Sequence, residues 1–261
     1  MGESDVSAES RRRLEGRAIV VTGAGAGIGR ACVERYHAEG ASIVAADLDP
    51  QGLDALAGDA TGPIEVVTVD VTQPDAATTL VERSLEVFGR LDVYHANAGG
   101  AFPTPFVDTG DEQYEQVRAL NLDAVWNGSR AAIPVFLEAG RGVFLATSSG
   151  AGINAVDGLS AYGAAKAGVQ ALVKALALEH GREGVRACAI APGMIESPGL
   201  LAWLETLPGG VEARAAKQTA GRLGLPSEIA AAAAFLASDD ASFVNGVTLA
   251  VDGGTQAVLG A

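Results

Sequence analysis

The stretch Ala18-Ile19-Val20-Val21-Thr22-Gly23-Ala24-Gly25-Ala26-Gly27-Ile28-Gly29 joins a short apolar run to a glycine-rich segment. The run from Arg17 to Thr22 is short and rich in branched apolar residues, which predicts a buried strand. Glycine allows the backbone to turn sharply after the strand, and helical periodicity begins near Arg30. A strand, a tight turn and a helix in this order are typical of a parallel α/β sheet.

The rest of the chain repeats this alternation. Continuous apolar strands separated by helices indicate a parallel sheet that is covered on both faces and joined by right-handed crossovers. We therefore predict one Rossmann-like, doubly wound α/β domain over residues 17–261, preceded by a flexible polar N-terminal tail at 1–16. Residues 193–225 are the least regular segment and are predicted to form a substrate lid. The predicted strands are 17–22, 42–46, 64–69, 91–95, 142–147, 185–190 and 247–251.

Composition excludes several classes of function. A net charge of −14 disfavours nucleic acid and anionic membranes as partners. Cys32 and Cys188 fall in a predicted helix and a predicted strand, which favours small buried hydrophobes over a disulfide or a metal site, and we expect no metal. No apolar run is long enough to span a membrane and no segment resembles a signal peptide, so we expect a cytoplasmic protein.

The glycine segment is a candidate phosphate site. Its backbone can approach a pyrophosphate closely, and the following helix N-terminus supplies N–H donors. The spacing departs from the G-x-G-x-x-G fingerprint, so an ordinary turn remains an alternative. Asp47 follows the second strand, where a carboxylate can bind both hydroxyls of an adenine ribose and repel a 2′-phosphate. Asp49 already provides a helix cap there, so the position of Asp47 favours NAD over NADP.

Tyr162 and Lys166 are the candidate catalytic pair. Residues four apart share one face of a helix, so the phenol and the ammonium can meet. A nearby cation stabilises a phenolate and lowers the tyrosine pKa, which would suit the pair to general acid–base catalysis. Taken alone, the same spacing also fits an ordinary amphipathic helix. Ser149 lies thirteen residues before Tyr162.

Together these motifs resemble the short-chain dehydrogenase/reductase family from about Arg17 to Thr255. The glycine segment matches the family's T-G-x-x-x-G-I-G, and Asn97-Ala98-Gly99 matches the latter part of N-N-A-G. The resemblance implies strand order 3-2-1-4-5-6-7, a catalytic set of Asn121, Ser149, Tyr162 and Lys166, and commonly a homotetramer, with the apolar end 256–261 at an interface. The residues that it implies for the cofactor are Gly23, Ala26, Gly27, Ile28, Gly29, Asp47, Leu48, Asp70, Val71, Asn97, Ala98, Gly99, Tyr162, Lys166, Pro192, Gly193 and Ile195.

The implied reaction is hydride transfer between NAD and a neutral secondary alcohol or its ketone, cyclic or polyol-like. Tyr162 would exchange the hydroxyl proton, Lys166 would lower the tyrosine pKa and bind the nicotinamide ribose, and Asn121 would position a water. The residues expected to bind substrate are Ser149, Ile153, Tyr162, Met194 and Trp203. Alternatives are an NADP-dependent ketone reductase of the same family and a non-enzymatic dinucleotide-binding sensor.

Two residues depart from the family pattern. Ala96 stands where the family often has asparagine, and we expect a local rearrangement around Asn97 that leaves cofactor binding intact. His95 occupies a usually apolar strand position. A packed core histidine is the simpler interpretation, and a role in substrate binding or proton transfer is the alternative.

Overall fold

A computed structural model describes residues 12–59 and 62–257 of the chain. Seven parallel strands form one sheet in the order β3-β2-β1-β4-β5-β6-β7, which confirms the predicted topology. The strands are β1 Ala18–Thr22, β2 Ser42–Asp47, β3 Ile64–Thr68, β4 Val93–Ala96, β5 Gly142–Thr147, β6 Val185–Pro192 and β7 Thr248–Val251. Their bounds differ from the predicted ones by two residues at most.

The helices connect these strands and cover both faces of the sheet. They are α1 Gly27–Ala38, α2 Pro50–Asp59, α3 Ala76–Phe88, α4 Asp111–Arg118, α5 Ala124–Ala139, α6 Ser160–His180, α7 Pro198–Glu205, α8 Gly210–Ala215 and α9 Pro226–Ala237. A π-helical turn, Ala119–Asp123, joins α4 to α5. Among the described residues, no helix has both the length and the apolar character that a membrane span requires.

Alternation along the strands divides the core into two layers. Ile19 and Val21 of β1 pack with α1, α2 and α9, whereas Val20 packs with α3, α5 and α6 on the opposite face. Neighbouring residues of a strand point to opposite faces, so a sheet covered on both faces is apolar throughout its central strands. Cys32 and Cys188 are both buried as free thiols in the first of these layers.

The structure corrects the predicted start of the domain. Leu14 is fully buried in the core, and its backbone N–H donates to the carbonyl of Glu39. The Arg13 guanidinium donates to both carboxylate oxygens of Glu39, at 2.8 and 2.7 Å. Residues 12–16 are therefore part of the packed domain and not of a flexible tail, while 1–11 lie outside the described residues.

The carboxyl ends of the strands lie along one edge of the sheet, where β1 and β4 are neighbours and the crossovers diverge to opposite sides. Such a switch point leaves a crevice in which parallel α/β proteins bind ligands. The segment predicted as an irregular lid holds two short helices, α7 and α8. Its two ends are joined to each other where Gly224 donates its N–H to the carbonyl of Met194 at 2.9 Å.

Candidate active site

The glycine turn leads from β1 into α1 as predicted. Gly23 and Gly27 have φ values of +67° and +53°, which side chains rarely tolerate. A Cβ at Gly29 would lie 1.9 Å from the carbonyl oxygen of Gly23, so only glycine fits there. The N-cap residue of α1, Ala26, gives no side-chain hydrogen bond to the first turn, and that turn contains no acidic residue.

This helix N-terminus fits the phosphates of a dinucleotide. The first N–H groups of a helix have no partner within the helix, and they carry the positive end of the helix dipole. A Cβ on Gly27 would come within 3.2 Å of the Ser197 side chain, so the start of the lid segment lies close to the turn. A bound pyrophosphate could therefore contact both the glycine turn and the lid.

Asp47 ends β2 beside the glycine turn. One carboxylate oxygen accepts the N–H of Gly25 at 2.8 Å, and the other accepts the N–H of Asp49 at 2.9 Å. These two bonds fix the carboxylate, and each oxygen keeps capacity for a further donor such as a ribose hydroxyl. The neighbouring Leu48 is two-thirds exposed and can contact a ligand at this edge.

The segment after β3 places Asp70 and Val71 at the same edge of the sheet. Asp70 accepts hydrogen bonds from the hydroxyl and the backbone N–H of Thr72, and these bonds hold the pKa of its carboxyl below the usual range. Val71 and Ala98 line the same small cleft, together with Thr22. The structure thus brings two of the predicted cofactor residues together.

Asn97 and Ala98 are hydrogen-bonded to the end of β1. The side-chain amide of Asn97 donates to the carbonyl of Thr22 at 3.0 Å, and the backbone N–H groups of Asn97 and Ala98 both donate to the Thr22 hydroxyl. Ala96 is buried within β4 and pairs with Ala146 of β5. Asn97 is therefore ordered even though Ala96 precedes it.

Asn121 is fully buried in the π-helical turn between α4 and α5. Its amide donates to the carbonyls of Gly100 and Val117, and its oxygen accepts the N–H of Gly100 at 3.1 Å. A Cβ at Gly99 would lie 2.9 Å from both the Asn121 oxygen and Lys166 Nζ. Gly99 therefore permits these two side chains to converge, at the kind of helical irregularity often found at functional sites.

Ser148 and Ser149 point in different directions, as the strand geometry predicts. The Ser148 hydroxyl is buried and donates to the carbonyl of Lys166 at 3.0 Å. The Ser149 hydroxyl accepts the N–H of Ala151 at 3.1 Å, and it lies near enough to the Tyr162 hydroxyl to lower the pKa of that phenol. Ser149 is thus the serine on the side of the candidate catalytic tyrosine.

Tyr162 and Lys166 lie on successive turns of α6. Lys166 is buried, its Nζ lies 5.6 Å from the centroid of the Tyr162 ring, and it donates to the carbonyl of Thr147 at 2.9 Å. Burial lowers the pKa of the Lys166 ammonium to about 8, and within the described part of the chain no ion pair with a carboxylate offsets the lost hydration.

The pKa of Tyr162 differs from the prediction. Burial raises the pKa of the phenol above its ordinary value, and the hydrogen bond with Ser149 offsets only part of that effect. The net shift is therefore upward because burial dominates it, and the lowering of this pKa by the nearby Lys166 ammonium stays a prediction.

The end of β6 closes the site on the side of the lid. Pro192 is the last residue of the strand, and Gly193 donates its N–H to the carbonyl of Val251 at 3.1 Å. A Cβ at Gly193 would meet Asp252 at 2.8 Å, so glycine is needed for this close approach. Ile195 is buried and pairs with Gly224 in an isolated parallel bridge.

The predicted substrate residues are not all brought together. Met194 is half-buried and its sulfur accepts a hydrogen bond from Gln218, while Ile153 is exposed after β5. Trp203 is half-buried on α7. Among the described residues, neither Ile153 nor Trp203 has a hydrogen bond or ring contact with Tyr162, so their assignment stays a prediction.

The sequence interpretation missed one wall beside the tyrosine. A small cleft adjoins Tyr162 and is lined in part by Phe102, Thr104 and Gln113. The N–H of Thr104 donates to the carbonyl of Gly158 at 2.8 Å, which docks the segment after β4 against the start of α6. The Phe-Pro-Thr-Pro run at 102–105 was the available signal, because it begins two residues after the Asn-Ala-Gly motif.

Comparisons with known proteins agree with this geometry. The family model described as enoyl-(acyl carrier protein) reductase matches residues 23–256. The chain is 38% identical over 250 residues to 3β-hydroxysteroid dehydrogenase 2 of Eggerthella lenta, covering 94% of this chain and 96% of the relative.

Two solved structures share the whole fold. A crystal structure of levodione reductase superposes with a TM-score of 0.90 at 32% identity, covering 94% of this chain and 99% of the other. A structure of 7α-hydroxysteroid dehydrogenase with NADH and 7-oxo glycochenodeoxycholic acid has a TM-score of 0.88 at 30% identity, covering 98% of both chains.

Proposed function

The chain belongs to the short-chain dehydrogenase/reductase family and is an oxidoreductase acting on CH–OH groups; on this premise, we propose that it interconverts a neutral secondary alcohol and its ketone with NAD. The observation that carries this proposal is the convergence of Ser149, Tyr162, Lys166 and Asn121 beside the glycine turn. A protein that only senses a dinucleotide has no chemical need for this set.

Each member of the set has a role that follows from its position. Tyr162 exchanges a proton with the substrate oxygen, as general base in alcohol oxidation and as general acid in ketone reduction. The Ser149 hydroxyl lies near enough to the Tyr162 hydroxyl to lower its pKa, and it can orient the same substrate oxygen. The bound dinucleotide supplies the hydride acceptor or donor at its nicotinamide ring.

Lys166 and Asn121 support the proton transfer. The Lys166 ammonium is available to a ribose hydroxyl and to the developing phenolate, since the hydrogen bond to Thr147 uses only one of its three N–H groups. Asn121 lies beside Lys166 and fixes the Gly100 backbone, which places it to order a water next to the ammonium. The pKa of about 8 for Lys166 makes its charge sensitive to what binds there.

The preference for NAD rests on Asp47. Its carboxylate is held by two backbone N–H groups, so it cannot swing away from a ribose without losing both bonds. A 2′-phosphate at this place would meet a fixed negative charge, whereas two ribose hydroxyls would find acceptors. Leu48 adds apolar contact and no positive charge for a phosphate.

The proposed substrate is neutral, cyclic or polyol-like. The lid segment offers Met194, Trp203 and neighbouring leucines as apolar surface, and its first arginine is Arg214. Relatives named for a hydroxysteroid and for levodione support an alcohol or ketone as the reacting group. Ile153, Met194 and Trp203 are proposed to contact the part of the substrate away from the reacting carbon.

We also propose a cytoplasmic homotetramer. Support for self-association comes from large apolar side chains that are mostly exposed, including Phe106, Val107, Leu178 and Phe243. The apolar chain end also predicted to lie at an interface falls mostly outside the described residues, at 258–261. Light scattering of the purified protein at micromolar concentration tests the proposal, and a monomer mass would contradict it.

The test of the proposed function begins with the wild-type protein. Thermal-shift titrations with NAD and NADP measure cofactor preference, and absorbance of the reduced nicotinamide measures turnover of a panel of cyclic and acyclic secondary alcohols. We expect a larger shift with NAD and turnover of at least one neutral alcohol. A larger shift with NADP would overturn the assignment of Asp47, and binding without turnover across the panel would favour a sensor.

A further inference from the structure

His95 lies in β4 and is fully buried, as expected for a packed core histidine. Its Nδ1 lies 3.0 Å from the Tyr36 hydroxyl on α1, and its Nε2 lies 3.0 Å from the Thr147 hydroxyl at the end of β5. Burial lowers the pKa of the imidazole to about 3, so the ring is neutral at physiological pH.

The donor and the acceptor of each of these hydrogen bonds can be deduced from Asn97, which is linked to His95 through the Thr147 hydroxyl. Asn97 donates its amide to the carbonyls of Thr22 and Gly23, at 3.0 and 3.3 Å, so its oxygen is the atom that faces Thr147. That oxygen can only accept, and it lies 2.9 Å from the Thr147 hydroxyl. The hydroxyl therefore uses its single proton on Asn97 and must accept from His95.

This order fixes the tautomer of the histidine. His95 carries its proton on Nε2 and donates it to Thr147, while Nδ1 accepts from the Tyr36 hydroxyl. A series of hydrogen bonds thus runs from Tyr36 on α1 through His95 on β4 and Thr147 on β5, and then through Asn97 to the carbonyls of the glycine turn. Tyr36, His95 and Thr147 lie in the core below the site, where an unmade hydrogen bond is costly, and Asn97 is partly buried at the site itself.

This series of hydrogen bonds reaches two parts of the site. On one side, Asn97 holds the carbonyls of Thr22 and Gly23 at the start of the glycine turn. On the other side, the backbone carbonyl of Thr147 accepts the hydrogen bond of Lys166 Nζ at 2.9 Å. Thr147, which His95 holds, therefore connects the glycine turn to Lys166.

We propose that His95 is a positioning residue, whose Nε2–H holds Thr147 so that the Asn97 amide and the Lys166 ammonium keep the geometry needed for dinucleotide binding and proton transfer. This inference rests on the proposed function for its kinetic consequences. The hydrogen-bond arrangement of His95 is independent of the proposed function and can be measured without cofactor.

Nitrogen NMR of histidine-labelled protein tests the arrangement. We expect His95 to show a protonated Nε2 and an unprotonated Nδ1, and to lose the Nε2–H signature only when Thr147→Val removes its acceptor. A protonated Nδ1 in the wild-type protein would overturn the proposal, whatever reaction the enzyme catalyses.

Three variants then separate positioning from packing. His95→Leu removes the donor, His95→Gln keeps an N–H that can reach Thr147, and Tyr36→Phe removes the other partner of the ring while leaving Nε2–H in place. Fluorescence titration with NADH gives the dissociation constant of each, and urea unfolding gives its stability. Turnover is measured with an alcohol accepted by the wild-type enzyme.

We expect His95→Leu to weaken NADH binding about tenfold and to lower kcat, corresponding to the loss of one buried hydrogen bond. His95→Gln should keep most of the wild-type NADH affinity and kcat. Tyr36→Phe should lose stability but bind NADH as the wild type does. If Tyr36→Phe weakens binding as much as His95→Leu, the effect is general packing and the proposal is wrong. If His95→Leu does not fold, the same comparison is made between Thr147→Val and Tyr36→Phe. Failure of the wild type to bind either dinucleotide would refute the proposed function instead.

Discussion

The wild-type protein should lose stability in mildly acidic solution because of His95. Replacement of His95 by glutamine should abolish that part of the loss. The imidazole is fully buried, and burial lowers its pKa from 6.5 to about 3. Between these two values the unfolded chain binds a proton that the folded protein does not bind. The free energy of unfolding therefore falls as the pH drops through 6.5, and the loss continues until about pH 3.

The size of the effect follows from the two pKa values. Each pH unit below the unfolded pKa removes about 1.4 kcal/mol of stability, so at roughly pH 5 the His95 contribution has cost about 2 kcal/mol relative to roughly pH 7.5. Glutamine does not titrate and cannot show this component. The carboxylates contribute equally in both proteins and cancel from the difference.

Urea unfolding at the two pH values, at one protein concentration, measures the difference. The wild type should lose about 2 kcal/mol more than His95→Gln on acidification. His180→Gln is the matched control, since it removes a histidine from the end of α6, where a quarter of the side chain is exposed. Equal pH dependence in the wild type and His95→Gln, within about 0.5 kcal/mol, would show that the ring is solvated and the reasoning wrong.

Three further predictions address the cofactor side of the site. Asp47→Ser should raise the affinity for NADP relative to NAD by about tenfold or more, because it removes one fixed negative charge, and paired titrations of both cofactors measure this. Gly29→Ala should abolish NAD binding or prevent folding, since its Cβ would lie 1.9 Å from the carbonyl oxygen of Gly23; thermal unfolding with and without NAD distinguishes the two, and wild-type affinity would contradict it. The Lys166 ammonium, with a pKa lowered to about 8, should deprotonate as pH rises through that value in the free enzyme, and the NAD dissociation constant should rise with it while that of Lys166→Met stays flat.

The sequence was sufficient for the topology because the sheet is covered on both faces. Apolar runs such as 142–147 could then only be central strands, and the strand bounds followed from where glycine and charge interrupt them. The opposite directions of Ser148 and Ser149 followed from strand geometry in the same way.

Other features depend on contacts between residues distant in the sequence. The bonds of His95 join it to residues 59 and 52 positions away, and no local pattern predicts such partners. The direction of the Tyr162 pKa shift also needed the structure, since it depends on how deeply the phenol is buried. The packing of Leu14 was missed because a single apolar residue among Arg11, Arg12 and Arg13 gives no periodic signal.

The central claim is that Tyr162 moves the substrate proton in an NAD-dependent reaction. Tyr162→Phe tests it most directly, because the variant keeps the aromatic ring and loses only the hydroxyl proposed to exchange the proton. Two quantities are measured on the same preparation: the NADH dissociation constant and kcat with an alcohol that the wild type oxidises. We expect an unchanged dissociation constant and a fall in kcat of at least about 10²-fold. Unchanged turnover with intact NADH binding would contradict the account.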